Sequence, residues 1–424
     1  MFLGVIADDF TGGTDIAGFL VENGMKTIQL TGTPQTAFSS STDAIVISLK
    51  SRSCPVDEAI QQSLQALRWL KEQGCQQFYF KYCSTFDSTE KGNIGPVTDA
   101  LLAELNETFT IICPALPING RSVYQGHLFV QGALLNESGM RHHPVTPMRD
   151  ANLMRLMDTQ AQGKTGLVTY QDIEQGAEAI AARWHTLQQQ GYRYAVMDTL
   201  NEKHLSSIGA ACRSLTLITG GSGLAAGIAQ QYVKTHSSSA QTHAAEIVQT
   251  ALSQAGKTVI LSGSCSEMTN KQVANYCKQA DHFALDISAC LQDDTYIEQV
   301  ANWVMVHLDN PLAPLVYATA EPHNLRAIQA EFGAHTASQA VEQFFYHLAQ
   351  HLQQQGVNRF IVAGGETSGV VTQSLKVQGF HIGPQIAPGV PWVTAIDQPL
   401  SLALKSGNFG DEHFFTTAQR YLHD

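Results

Sequence analysis

Phe360-Ile361-Val362-Ala363-Gly364-Gly365-Glu366-Thr367-Ser368-Gly369 is the segment that settles the class of fold. A short apolar run passes through paired glycines into a helix-competent stretch, so the chain leaves a strand, turns tightly and enters a helix. Thr219-Gly220-Gly221-Ser222-Gly223 and Ser262-Gly263-Ser264-Cys265-Ser266 repeat the pattern. Outward from these junctions, short β-rich runs alternate with longer helical patterns, the signature of parallel sheets with crossover helices. The first half offers strands at Phe2 to Ala7, Thr27 to Leu30, Ala44 to Leu49, Gln77 to Lys81, Phe109 to Cys113, Gly166 to Thr169, Tyr194 to Met197 and Leu215 to Ile218. Val56 to Gln73 and Gln175 to Gln190 space their apolar residues as covering helices do.

A polar, serine- and alanine-rich stretch interrupts this alternation, which predicts two α/β domains with mainly parallel sheets: residues 1–233, a linker at 234–257, and 258–424. The second domain restarts with Thr258 to Leu261, Phe283 to Ile287, Leu315 to Thr319, Phe360 to Ala363, Trp392 to Ile396 and Leu400 to Leu404. No short fixed repeat occurs, so a solenoid is excluded.

The 424 residues are 44% hydrophobic and 15% charged, which excludes a disordered chain or a coiled coil. A net charge of −12 with no dense Lys/Arg run argues against nucleic acid or an anionic membrane as partner. An anionic small molecule would need a local basic pocket. No uninterrupted apolar stretch reaches the ~18 residues of a membrane span, and Met1 to Asp9 reads as a core strand and not a signal peptide. Eight scattered cysteines without a C-x-x-C pair suit reduced thiols and a cytoplasmic location. His142-His143 is the densest histidine site, but adjacent histidines point apart and make a poor metal pair.

At a strand-to-helix turn the first helical N–H groups are unpaired, and glycine lets a ligand approach the backbone. Phosphate oxygens suit such sites, and in one parallel sheet the loops at Ser262 to Ser266 and Gly364 to Gly369 can converge on a single ligand. Lys405-Ser406-Gly407-Asn408-Phe409-Gly410 offers a further close approach, or simply a turn before a C-terminal helix. Gly163-Lys164-Thr165 and Gly256-Lys257-Thr258 are not Walker A motifs, because Asp158 and Ala251 stand where the first glycine belongs. Gly221 to Gly227 approaches a dinucleotide fingerprint, but a polar linker follows it where a second strand should be.

In the first domain, Asp8 and Asp9 end the first strand, before a helix expected to begin near Ile16. Thr14 or Asp15 could cap that helix and Asp9 could organise the turn. A carboxylate pair at a strand's carboxyl end also suits binding or deprotonating a hydroxyl. The segment Lys81 to Gly95, with Arg52 and Arg121, could form the cationic pocket that holds a carboxylate.

Taken in order, Gly4 to Gly12, Lys81 to Gly95, Gly220 to Gly223 and Gly364 to Gly369 give the whole chain a resemblance to the four-carbon acid sugar kinase family. Lys91, where many relatives have arginine, looks typical of the 3-oxo-tetronate branch. The resemblance implies an acid-sugar domain followed by a nucleotide domain, with the active site in the interdomain cleft. It implies ATP-dependent phosphorylation of the terminal (C4) hydroxyl, turning 3-dehydrotetronate into its 4-phosphate. By motif, Asp8 and Asp9 become catalytic candidates, and Arg52, Lys81, Ser84, Thr85, Asp87, Ser88, Thr89 and Lys91 substrate contacts. Ser262, Ser264, Gly364, Gly365, Glu366, Thr367 and Gly407 become contacts to ATP. Mg²⁺ is expected with it, held by unassigned ligands, and a homo-oligomer is open. Threonate or erythronate as substrate, a nicotinamide-dependent hydroxy-acid oxidoreductase and a non-catalytic sugar-acid sensor are the alternatives.

Overall fold

Runs of apolar residues that are buried along their whole length form strands covered on both faces, as the computed structural model shows. The structure describes residues 2–34, 42–142, 146–236, 256–293 and 295–421. The chain divides into two compact units, Met1–Gln241 and Thr242–Asp424.

In the first unit the strands are β1 (Leu3–Ala7), β2 (Thr27–Thr31), β3 (Ala44–Ser48), β4 (Gln77–Lys81), β5 (Thr110–Cys113), β6 (Arg121–Tyr124), β7 (His127–Val130), β8 (Ala133–Leu134), β9 (Thr165–Val168), β10 (Tyr194–Met197) and β11 (Leu217–Gly220). Its main sheet runs β2-β3-β1-β4-β11-β5-β10-β9, all parallel. The chain leaves β1 for β2 and β3 on one side, then crosses to β4 on the other. The carboxyl ends of β1, β3 and β4 therefore form a topological switch point, where open α/β sheets bind ligands. The registers Ala7↔Ser48 and Ala7↔Lys81 bring these ends level.

The second unit holds β12 (Lys257–Ser262), β13 (His282–Ala284), β14 (Leu315–Tyr317), β15 (Val357–Ala363), β16 (Gly379–Ala387), β17 (Val390–Ala395) and β18 (Ser401–Lys405). The order is β13-β14-β12-β15-β18-β17-β16, parallel as far as β18 and antiparallel beyond. Here the reversal in strand order falls at β12 and β15, the two strands that feed the glycine loops. Trp392, Tyr276, Phe414 and Phe415 fill one side of this core.

Several elements depart from the sequence reading. The helix expected near Ile16 is Phe10–Glu22, because Asp9, and neither Thr14 nor Asp15, caps it by accepting the Gly12 N–H. Gly13 is needed there: a Cβ would lie 2.0 Å from Ser48 Oγ, so the helix packs directly on β3. The strand expected at Phe283 to Ile287 ends at Ala284, since Asp286 caps a helix that starts at Ile287. β11 lies two residues beyond its expected start. Strand β16 and the antiparallel sheet β6-β7-β8 were not expected; Gly383-Pro384 breaks the apolar pattern of β16 at its bulge. The helix Gly223–His236 and β12 occupy both ends of the expected linker, whose residues 237–255 lie outside the described residues, as does His143. All eight cysteines are free. No described helix is long and apolar enough to cross a membrane.

Candidate functional site

At the switch point of the first unit, one arginine bridges two carboxylates. Arg52 Nε and Nη2 donate to Asp8 Oδ2 and Oδ1 at 2.9 and 2.8 Å, and Nη2 lies 2.9 Å from Asp9 Oδ1. The backbone fixes this fork, because the Ser51 and Arg52 N–H groups both donate to Asp8 O, and the Asp8 N–H donates to Lys81 O. Burial drives the Asp8 carboxyl above its ordinary value despite Arg52. Burial pushes Asp9 the same way, but Arg52, Lys81, the Gly12 N–H and the Thr11 hydroxyl together hold it below its ordinary value. Burial would lower Arg52, but Asp8 and Asp9 raise it well above the usual guanidinium range. The Asp9 side chain is 26% exposed and that of Asp8 only 6%, so Asp9 is the carboxylate open to a ligand.

Lys81 ends β4 with its ammonium buried, donating to Tyr82 O at 2.8 Å. A Cβ on Gly12 would stand 2.3 Å from Asp9 Oδ1 and 2.9 Å from Lys81 Nζ, so the glycine keeps this corner open. Beside it, Asp15 Oδ2 accepts from Ser222 Oγ while Oδ1 is buried with no partner among the described residues. Sequence reasoning treated Asp15 only as a cap; the missed signal was its spacing from Gly12, which puts it on the same helix face.

Burial raises the Asp15 pKa from 3.8 to about 6, against the pull of Lys81 and Ser222. Between these values the folded chain holds a proton that the unfolded chain has released, so the stability this group contributes is greatest in acid and is lost as the pH rises through 6. Asp15→Asn removes that dependence. Urea unfolding should show the variant gaining about 3 kcal/mol on the wild type between roughly pH 4 and pH 7; a constant difference would contradict the assignment.

The following loop divides by role. Thr85 Oγ1 donates to Asp87 Oδ1 at 2.8 Å and pairs with Cys83 Sγ at 2.9 Å. Ser84 is half-buried. Ser88 turns away to donate to Gln160 Oε1, Thr89 Oγ1 accepts from the Lys91 N–H, and Lys91 is exposed. Asn93 donates to Ser51 O and Cys54 O and so ties the loop to the Arg52 turn. Asp8, Ser51, Arg52, Asp87, Ser88 and Asn93 line a cavity of about 10 Å³, room for one water. Arg121 interacts electrostatically with Cys83, Asp87 and Asp15, and its buried Nε lacks a partner among the described residues. Arg52 already serves two carboxylates, and Arg121 Nε keeps a donor to spare.

In the second unit, three turns meet at the carboxyl ends of β12, β15 and β18. The Ser264 N–H donates to Ala363 O, and the Gly364 N–H donates to Lys405 O. Gly364 has φ +127°, and a Cβ there would lie 2.9 Å from Thr367 Oγ1 and 3.2 Å from Ser264 N. A Cβ on Gly263 would come within 2.3 Å of the same Thr367 oxygen, and one on Gly407 within 2.6 Å of Ser264 Oγ. A cavity of about 270 Å³ opens here, with Ser264, Gly364, Gly365, Glu366 and Thr367 at one end and Ile287, Leu325, Ile328 and Val341 along its wall. The helix Gly365–Ser374 begins at the polar end, where the first-turn N–H groups of a helix favour an anion. The apolar wall suits a flat ring, and the N–H groups suit phosphate. Ser262 is set apart from the other expected contacts: its hydroxyl is buried against Thr319 Oγ1 at 2.7 Å.

Among the described residues no three metal-ligating side chains cluster. Mg²⁺ bound with a nucleotide takes most of its ligands from phosphate and water, and needs only one or two carboxylates. Glu366, in the first turn of the helix and lining the cavity, fits that part.

Two family models match the chain, a sugar-binding N-terminal domain over residues 3–228 and a nucleotide-binding C-terminal domain over residues 259–415. A 3-oxo-tetronate kinase of Pectobacterium atrosepticum is 60% identical, the match covering 99% of this chain and 98% of the relative. A 3-oxo-tetronate kinase of Actinobacillus succinogenes is 58% identical over 99% of both chains. Among solved structures, a Salmonella typhimurium LT2 protein described as a tRNA synthase superposes with TM-score 0.89 at 57% identity, covering 99% of this chain and 98% of its own. A Haemophilus influenzae protein, also 57% identical, superposes with TM-score 0.79 over 98% of this chain and 99% of its own.

Proposed function

Since the chain belongs to the four-carbon acid sugar kinase family, we propose that it transfers the γ-phosphoryl group of ATP to the C4 hydroxyl of 3-oxo-tetronate, giving 3-oxo-tetronate 4-phosphate. The observation that carries this reading is the presence of two chemically different pockets on one chain. One is a buried cluster of carboxylates and cations, and the other is a glycine-lined cavity at a helix N-terminus.

Phosphoryl transfer passes through a loose transition state, so the protein chiefly positions the nucleophile and neutralises charge. Asp9, ionised and partly open, accepts a hydrogen bond from the C4 hydroxyl and aims its oxygen. Asp8 holds Arg52 and, through it, Asp9. Arg121 and Lys81 hold the substrate carboxylate, with Thr85 and Asp87 beside them. In the second unit the Gly364 to Thr367 backbone, Ser264 and Gly407 receive the phosphates, and the apolar wall takes the adenine. Mg²⁺, near Glu366, would supply charge neutralisation on the phosphate tail.

ADP release measured with 3-oxo-tetronate, threonate and erythronate tests the assignment. The 3-oxo acid should give the highest kcat/KM; release with a non-oxidised acid alone would replace the substrate and keep the kinase.

A further inference from the structure

We propose that Lys405 is a positioning residue for the nucleotide phosphates: its buried ammonium clamps the Ser406–Gly407 turn against the helix Glu267–Tyr276 and supplies an unpaired positive charge beneath the phosphate site. The inference rests on the nucleotide reading of the second unit.

Lys405 is the last residue of β18 and is fully buried. Its Nζ donates to Thr269 Oγ1 at 3.0 Å, Ser406 O at 3.1 Å and Gly407 O at 2.8 Å. The two carbonyls can only accept. Thr269 gives its own hydroxyl proton to Gly407 O at 2.7 Å, so towards the lysine it too can only accept. Three acceptors need three N–H donors, which only the protonated amine has. The turn is therefore built for the cation.

The same lysine touches the other phosphate loops. Its carbonyl accepts the Gly364 N–H, and Gly407 packs against Ser264 and Ser266, the latter being the cap of the helix that carries Thr269. No ion pair neutralises the ammonium among the described residues, and burial pulls its pKa from 10.5 to about 7. A cation held under that strain favours an anion at the adjoining backbone, and a phosphate there in turn favours the charged lysine. All three N–H groups being taken, Lys405 acts through the turn and its field and not by direct contact.

The test is equilibrium binding of ADP and of adenosine to the full-length wild type and to Lys405→Met, with 3-oxo-tetronate binding to each as a control. The variant should bind ADP at least tenfold more weakly while its affinities for adenosine and 3-oxo-tetronate stay within about twofold, because the charge acts on phosphate alone. Unchanged ADP affinity, or an equal loss for ADP and adenosine, would overturn the proposal. A wild type that binds neither nucleoside nor nucleotide would overturn the nucleotide reading itself. If Lys405→Met does not fold, Thr269→Val keeps the cation and removes one of its anchors. It should then weaken ADP several-fold and leave adenosine unchanged, and unaltered ADP affinity in that variant refutes the clamp.

Discussion

Asp9→Asn is expected to lower kcat by about 10² to 10⁴-fold, the usual worth of a positioned acid or base at a reacting hydroxyl, while the chain stays folded. Asparagine is as good a helix N-cap as aspartate, so the bond from the Gly12 N–H survives. Only the charge and one of two equivalent acceptor oxygens are lost. Asp8→Asn is a different experiment. Asp8 presents both oxygens to Arg52 in a bidentate fork, and an amide would turn an N–H₂ group on a guanidinium nitrogen. That variant should lose stability as well as activity, since breaking one side of a buried pair costs about 3–5 kcal/mol. Steady-state kinetics beside urea unfolding separates the two. Full turnover in Asp9→Asn would remove Asp9 from the hydroxyl.

Gly364→Ala should raise KM for ATP by at least about tenfold with the KM for the acid sugar unchanged. Alanine at φ +127° is strained by about 1–3 kcal/mol, and its Cβ would press on Thr367 Oγ1 and on the backbone nitrogen of Ser264. Neither neighbour can yield cheaply: Thr367 is buried, and the Ser264 N–H is bound to Ala363 O. The loop must shift, and each 1.4 kcal/mol so lost is tenfold in affinity. A variant with wild-type KM for ATP would show that the loop does not meet the nucleotide.

Much of this architecture is legible without coordinates. The parallel strands announce themselves because both faces of each are covered, which makes them apolar along their whole length. β16 and the small antiparallel sheet are illegible for the opposite reason. Gly383 and Pro384 interrupt the one, and the other has half-buried residues and strands of no more than four residues. Asp8, Asp9 and Arg52 could be singled out because each follows a strand end, but their division of labour could not. It depends on the fork geometry and on the difference in exposure between two adjacent carboxylates. Lys405 ends an ordinary strand in the sequence; its burial and three acceptors appear only once the turn closes over it.

The proton-coupled phosphorus spectrum of the product made from ATP and 3-oxo-tetronate bears on the reaction itself. A new phosphomonoester signal split into a triplet by two methylene protons is the predicted result, because only C4 carries a primary alcohol. A doublet, from esterification at C2, or an unsplit acyl phosphate at the carboxylate, would contradict the placement of the C4 hydroxyl against Asp9.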